Sequence, residues 1–301
     1  MSHDLYRQKQ NLYWKTKIDD SRGSPGRLWR TLSGVLGRDR SNQTLPKNLT
    51  ANDFSRAFID KINRVRQSTS SASGPRFETS GCACALLRFK PVGVDYITRL
   101  IKSSPNKNCS LDPLPTWMIK QYSSELARFV TFLANSSLEQ GLFPLTQKNA
   151  IITPILKKPN LDPLNAGNYR PISNLNNVSK ISERVFLSRL QPHITTSTNF
   201  NPLQSAYRKH HSTETALLNT LDHIYSSADH SQPTVLVSLD LSAAFDTIDH
   251  DTLICRLHSD FGVAGAALNW IHSYLTNRSQ SVTIGHCHSP DQTLSSSVPQ
   301  G

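Results

Sequence analysis

Apolar residues return at steps of three and four in five windows of this chain, and each window predicts a helix with one face on a core. Behind Asp112-Pro113 the series runs Ile119, Tyr122, Leu126, Phe129, Val130 and Leu133, and Gly141 with Pro144 closes it. Val178, Ile181, Val185 and Leu190 mark a second helix. Ala216, Leu217, Leu221 and Ile224 mark a third, with Ser212 or Thr213 as its N-cap. Leu253, Ile254 and Leu257 predict a fourth, and Leu268, Ile271 and Leu275 a fifth. Three segments read as strands. Ala150-Ile-Ile-Thr-Pro-Ile-Leu156 is one. Val235-Leu-Val-Ser-Leu-Asp-Leu241, short, apolar and β-branched, predicts a buried strand. Ser281-Val-Thr-Ile284 predicts an edge or hairpin strand. Helices and strands mix without a strict βαβ repeat and without internal repeats, so the expected class is α+β.

Composition narrows the picture. Hydrophobic residues make up 37% of the 301 and charged residues 18%, enough apolar material for a packed core. No apolar run approaches the roughly 20 residues of a membrane helix, and the first residues carry no secretory h-region. The five cysteines are odd in number and mostly far apart, which fits a reducing compartment better than a disulfide framework. The expected location is therefore intracellular, in cytoplasm or nucleus. Cys82-Ala-Cys84 and His286-Cys-His288 lack a second pair at zinc spacing and read as ordinary loop residues.

The net charge of +11 points to a polyanionic partner. Its distribution says more. Residues 1–110 hold 20 Lys/Arg against 8 Asp/Glu, residues 148–209 hold 9 against 2, and residues 230–301 hold 2 against 6. The first 40 residues mix cations with aromatics: Tyr6, Arg7, Lys9, Tyr13, Trp14, Lys15, Lys17, Arg27, Trp29 and Arg30. Such a mixture can stack on bases while neutralising phosphate. It also fits an amphipathic helix docked on the next domain, and both readings stand.

Asp240 ends the expected strand 235–241. Alternation puts Leu236, Ser238 and Asp240 on one face and Val235, Val237, Leu239 and Leu241 on the other. A buried, unpaired carboxylate is costly, so Asp240 is expected to face a cleft, a cation or a metal. Capping of the next turn is the plainer reading of this residue taken alone. Phe245 follows at a distance that lets it wall a pocket. Asp246 and Asp249 fall where acids favour a helix N-terminus.

The run Val237-Ser-Leu-Asp240-Leu-Ser-Ala-Ala-Phe245-Asp246-Thr-Ile-Asp249-His250 resembles motif A of reverse transcriptases from non-LTR (LINE-type) retrotransposons. Asn168-Tyr169-Arg170-Pro171-Ile172-Ser173, with Lys180-Ile181 and Arg189-Leu190, is similar to the first fingers motif of that family. Gln204-Ser-Ala-Tyr207-Arg208-Lys209, continuing through Ser212-Thr213 to Ala216-Leu217, resembles the second. Ser297-Val298-Pro299-Gln300-Gly301 resembles the opening of motif B, and residues 1–37 more loosely resemble the segment between endonuclease and polymerase.

The resemblance implies a right-hand polymerase: fingers and a partial palm, preceded by a mostly helical basic extension. Its implied boundaries are an extension over 1–66, a flexible linker over 67–80, fingers over 81–234 and partial palm over 235–301. The implied reaction is RNA-directed DNA synthesis, with Mg²⁺ at a two-metal site and an RNA template, a DNA primer and deoxynucleoside triphosphates as partners. Asp240 is then a catalytic metal-binding carboxylate, and the Leu241 carbonyl a further metal ligand. Phe245 crowds the sugar 2′ position. Arg208 meets the triphosphate or the template backbone, Gln300 contacts the nucleotide or template, and Gly301 lets the backbone approach closely. Lys157, Lys158, Arg170 and Lys209 are possible phosphate or template contacts, with a solvated turn or a salt bridge as the plainer alternatives. The family's aromatic-x-Asp-Asp tetrapeptide does not occur in these residues. The expectation is a fragment without activity by itself, and the alternative is a non-catalytic RNA/DNA-binding remnant.

Overall fold

The structure, a computed structural model, describes residues 2–21, 28–29, 31–32, 45–46, 48–74, 84–107, 109–241 and 243–299. It is a mixed α+β fold whose chain divides into two compact units. One consists of Met1–Thr50 with Ile155–Arg170, the other of Ala51–Pro154 with Pro171–Gly301.

In the first unit, helix α1 spans Ser2–Ser21. None of its described side chains is buried. Tyr13 and Trp14 meet edge to face at 5.1 Å, and the Lys17 ammonium sits 4.8 Å from the Tyr13 ring. Lys157 closes the loop 157–168: its Nζ donates to the Gly167 carbonyl at 2.6 Å and its backbone N–H to the Asn168 carbonyl at 2.9 Å.

The second unit opens with α2 (Ala51–Thr69), which buries Ala51, Phe54 and Phe58. The boundary expected at residue 66 falls inside this helix. Of the expected linker, 75–80 lie outside the described residues, as does Cys82. Helices α3 (Val94–Ser103), α4 (Thr116–Gln121) and α5 (Ser123–Gln140) follow. The long helix expected behind Asp112-Pro113 is thus two helices, broken at Tyr122 with φ −98° and ψ 31°. The expected face is also corrected. Phe129 is 75% exposed, while Ala127, Thr131, Ala134 and Leu138 are buried. Three of these four are small residues, which suit close helix packing, and α3 and α9 both pack against α5. Gly141 ends α5 in the left-handed region at φ +68°.

The sheet runs β2-β1-β3-β4, from β1 (Asn149–Leu156), β2 (Tyr169–Asn174), β3 (Arg278–Ile284) and β4 (Cys287–His288). A fifth strand, β5 (Gln292–Leu294), pairs with β3. Strands β1 and β3 are parallel, with Asn149 opposite Ser279 and Ile152 opposite Val282. Strand β3 is antiparallel to β4 and β5. It is therefore flanked on both sides and turns tightly into β4, so of the edge or hairpin strand expected the hairpin is what forms. Between β1 and β3 come α6 (Asn177–Thr196), α7 (Thr213–Asp229), α8 (His250–Ser259) and α9 (Gly265–Leu275).

The core centres on Trp270 of α9, which is 1% exposed. Phe186 stacks on its ring at 4.3 Å and Phe143 meets it edge to face at 5.3 Å. Its indole N–H donates to Ser137 Oγ at 2.8 Å, so burial leaves no indole donor unmet. Ile97, Ile101, Val185, Val263 and Ile271 pack around this group.

Two apolar segments do not join the core. Helix α7 starts as expected: Ser212 and Thr215 form a reciprocal capping box. Its Leu217, Leu218 and Leu221 nevertheless remain exposed. The larger correction concerns 235–241. No strand forms there, and Val235, Leu236, Val237, Leu239 and Leu241 are 70–89% exposed. A strand needs a neighbour to take its N–H and C=O groups, and none among the described residues lies alongside this segment.

Two measurements check this architecture. Gly141→Ala is expected to cost more than about 1 kcal/mol in a denaturant titration. The left-handed φ disfavours a side chain, and the added Cβ would meet the Ala266 carbonyl oxygen at 2.9 Å. Limited chymotryptic digestion is expected to cut at Leu236, Leu239 or Leu241 before any site in α9. First cleavage in α9 would refute the open segment.

Candidate nucleotide-transfer site

The sequence places Asp240 and Leu241 at the site, and the structure exposes both on the unpaired segment. The Asp240 carboxylate faces solvent rather than a cleft or cation. Ser242 lies outside the described residues, as do Gln300 and Gly301. The chain then turns through Ala243, whose φ of +55° is left-handed. The Ala243 carbonyl accepts from the backbone N–H of Asp246 at 2.9 Å and of Thr247 at 3.1 Å.

From Phe245 onward hydrogen bonds tie the chain down. Residues 245–250 and 296–298 are joined by four backbone-directed contacts. Val298 N–H donates to the Phe245 carbonyl at 3.1 Å, and Ser297 N–H to Ile248 at 3.0 Å. Asp249 and Ser296 form an antiparallel bridge. His250 donates from Nε2 to the Ser297 carbonyl at 2.7 Å. The end of the motif-A-like run and the start of the motif-B-like run are thus one junction, although about fifty residues separate them.

Helix α2 adds charge to this junction. Lys61 Nζ lies 3.5 Å from Asp246, and Arg66 lies 3.7 Å from Asp249. Asp249 is the N-cap of α8, accepting from the Thr252 N–H at 2.9 Å and its hydroxyl at 2.8 Å. These two bonds, the backbone one first, hold its carboxyl below the ordinary aspartate value. The expected preference of Asp249 for a helix N-terminus therefore stands; Asp246 sits in the turn before that helix.

Phe245 is partly exposed and meets Tyr207 edge to face at 6.3 Å. Next to Tyr207, Arg208 is turned inward on its own loop. Its Nη1 donates to the Pro202 carbonyl at 2.7 Å, and its guanidinium lies 5.5 Å from the Phe200 ring. Lys209 is exposed. Lys157, Lys158 and Arg170 belong to the other unit. There Lys158 and Arg170 are exposed, whereas Lys157 is engaged with Gly167.

A buried charged cluster escaped the sequence. Arg278 is 1% exposed and Lys148 3%. Tyr274 donates its hydroxyl to Glu183 at 2.6 Å. Burial pushes the carboxyl of Glu183 and the phenol of Tyr274 up, and pushes Arg278 and Lys148 down. The four side chains come from a loop and three elements, so no local pattern announces them.

Among the described residues no three His, Cys, Asp or Glu side chains stand close enough to hold a metal ion. The donor set agrees: Asp240 stands apart, Asp246 faces Lys61, and Asp249 is spent as a cap. These residues do not fit a two-metal site. No described helix is long and apolar enough to cross a membrane.

Residues 155–301 match the family described as reverse transcriptase (RNA-dependent DNA polymerase). Over 216 residues the chain is 29% identical to the probable RNA-directed DNA polymerase from transposon BS of Drosophila melanogaster, covering 71% of this chain and 24% of the relative. It is 27% identical over 212 residues to the RNA-directed DNA polymerase from mobile element jockey of Drosophila funebris, covering 70% and 23%. A probable RNA-directed DNA polymerase from transposon X-element of Drosophila melanogaster is 26% identical over 215 residues, covering 71% and 23%. The chain spans about a quarter of the length of these relatives. Residues 155–301 are thus similar to the reverse transcriptase (RNA-dependent DNA polymerase) family. Each of these three relatives is named as an RNA-directed DNA polymerase of a transposon or mobile element.

The Asp249 cap gives a test of the junction. A carboxyl held below its ordinary value stabilises the fold above that value, and the contribution is lost as pH falls through the depressed one. Asp249→Ala is expected to cost about 1 kcal/mol at neutral pH, with Asp249→Asn costing less because the amide oxygen still caps. Urea titrations at neutral and acid pH check both, and the Ala penalty should shrink on acidification.

Proposed function

We propose that this chain is a polymerase segment of a retrotransposon reverse transcriptase, with residues 81–234 serving as fingers and 235–301 as part of the palm. The observation that carries the reading is the family match over 155–301, taken with the hydrogen-bonded junction of 245–250 and 296–298 inside it. In this reading RNA template, DNA primer and deoxynucleoside triphosphates are the partners, and the divalent metal general to the family is Mg²⁺.

The roles follow the motifs. Asp240 supplies a catalytic carboxylate, and Leu241 sits beside it. Phe245, backed by Tyr207 and fixed through its carbonyl to Val298, screens the sugar of the incoming nucleotide. Arg208 and Lys209 meet phosphate, and Gln300 and Gly301 the nucleotide. Lys157 holds its own loop through Gly167, which leaves Lys158 and Arg170 as the freer cations for a template backbone. The exposed face of Asp240 supports the view that the 301-residue chain does not complete the site by itself.

A second reading, nucleic-acid binding without catalysis, is favoured by the excess of 20 Lys/Arg over 8 Asp/Glu in residues 1–110. One pair of assays separates the two. The 301-residue chain is expected to extend no primer on a primed RNA template, yet to bind that template with an affinity that falls steeply with salt as counterions are released. Measurable extension that disappears in Asp240→Ala would overturn the expectation of inactivity. Binding that ignores salt, or no binding, would overturn the polyanion reading.

A further inference from the structure

Residues 235–241 make no backbone hydrogen bond to any described residue, and all seven are exposed. The segment holds no proline and no cation, and Asp240 is its one charge. Such a run has the composition to pair and nothing to prevent it. Helix α7, which leads into it through 230–234, adds a second apolar surface. Leu218, Leu221 and Tyr225 recur at steps of three and four, with Leu217 beside them, and all four are exposed.

The sheet of this chain offers poor templates for the segment. Its outer strands are short or interrupted: β4 has two residues, β5 has three, and β2 contains Pro171, which withholds an N–H. The same segment of a second copy has seven unpaired residues and matches it in length. Area agrees. At roughly 100 Å² of apolar surface for each exposed Val or Leu, two copies of Val235, Val237, Leu239, Leu241 and the α7 leucines offer more than about 1,000 Å², the size that a specific interface needs.

Charge sets the direction of pairing. A parallel, in-register pair puts Asp240 beside Asp240, and like charges directly opposite destabilise. Antiparallel pairing about a two-fold axis through Ser238 sets Asp240 opposite Leu236 and leaves the two carboxylates about 13 Å apart along the strands. The same register sets Val235 opposite Leu241 and Val237 opposite Leu239, so one face of the ribbon is wholly apolar. A two-stranded ribbon is marginal alone and needs a helix on that face.

We propose that the chain forms a two-fold dimer in which residues 235–241 of the two copies pair antiparallel and the two α7 helices cover the apolar face of the ribbon. The dimer goes beyond the polymerase reading and does not rest on it, because backbone groups and apolar side chains carry it. It also gives the Asp240 segment a neighbour.

Sedimentation equilibrium of the full 301-residue chain is expected to show reversible association to twice 33.6 kDa, with chymotryptic cleavage in 235–241 slowing as the dimer forms. Val237→Lys puts a charge on the apolar face and is expected to stay folded by circular dichroism yet sediment as a monomer. Oxidation reads the register, in a chain whose native cysteines are replaced by serine. Ser238→Cys meets its own copy at the axis and is expected to form a disulfide-linked dimer, whereas Leu236→Cys lies too far from its own copy. A chain that is monomeric at every concentration, or whose association survives Val237→Lys, overturns the proposal. Equal cross-linking of the two cysteine variants overturns it as well. So does a monomer whose 235–241 amides are protected from hydrogen exchange, since a segment of the same chain is then the cover.

Discussion

The parallel pairing of Asn149–Ile152 with Ser279–Val282 is the constraint on which the second unit depends. Parallel neighbours cannot be joined by a tight turn, so the chain between them must cross over and return. That crossover holds α6 through α9, with Trp270 at the centre of the core. Once β3 is docked, its other side is ready for β4 and β5. Its start places Arg278 under the junction, and α2 packs against the same strand. The contacts between 245–250 and 296–298 thus rest on a strand pairing more than a hundred residues apart in sequence.

Local signals in the sequence were reliable where one residue decides one geometry. Ser212 caps α7 because its hydroxyl reaches the Thr215 N–H, and that chemistry is written in four adjacent positions. Gly141 closes α5 for an equally local reason. Faces were harder to read. Large apolar residues named one side of α5, but the side it buries carries Ala127, Thr131 and Ala134, because close approach selects small side chains rather than large ones. Helix α7 shows the same limit. Its periodicity is real, yet no described residue buries Leu217 or Leu218. Periodicity fixes what an element is and leaves open what it meets.

The candidate site divides along the same line. Phe245, Asp246 and Asp249 were legible as a group, and the structure gathers them with 296–298. The cations Lys61 and Arg66, which reach the two acids, were not, since they come from a helix nearly two hundred residues upstream. The set of buried Lys148 and Arg278 with half-buried Glu183 and Tyr274 gave no sequence signal either. Each of these residues is unremarkable in its own stretch. Only tertiary packing makes them costly, and a cost of that kind has to be met by a partner.

Asp240 marks the boundary between what this chain holds in place and what it displays. On its C-terminal side, from Phe245, backbone bonds to 296–298 fix the path. On its N-terminal side, five large apolar residues stand in solvent with no ladder to bind their amides. Apolar and β-branched content raises the tendency to pair but does not itself satisfy a single N–H or C=O. A strand is a property of two segments, and the sequence of one cannot guarantee it. The geometry of the Asp240 carboxylate is therefore set by whatever pairs with 235–241, whereas the backbone of Phe245 is already held by Val298. Precise placement of a catalytic carboxylate requires a rigid support. The sugar-screening side of the proposed site has that support in these residues, and the carboxylate side does not.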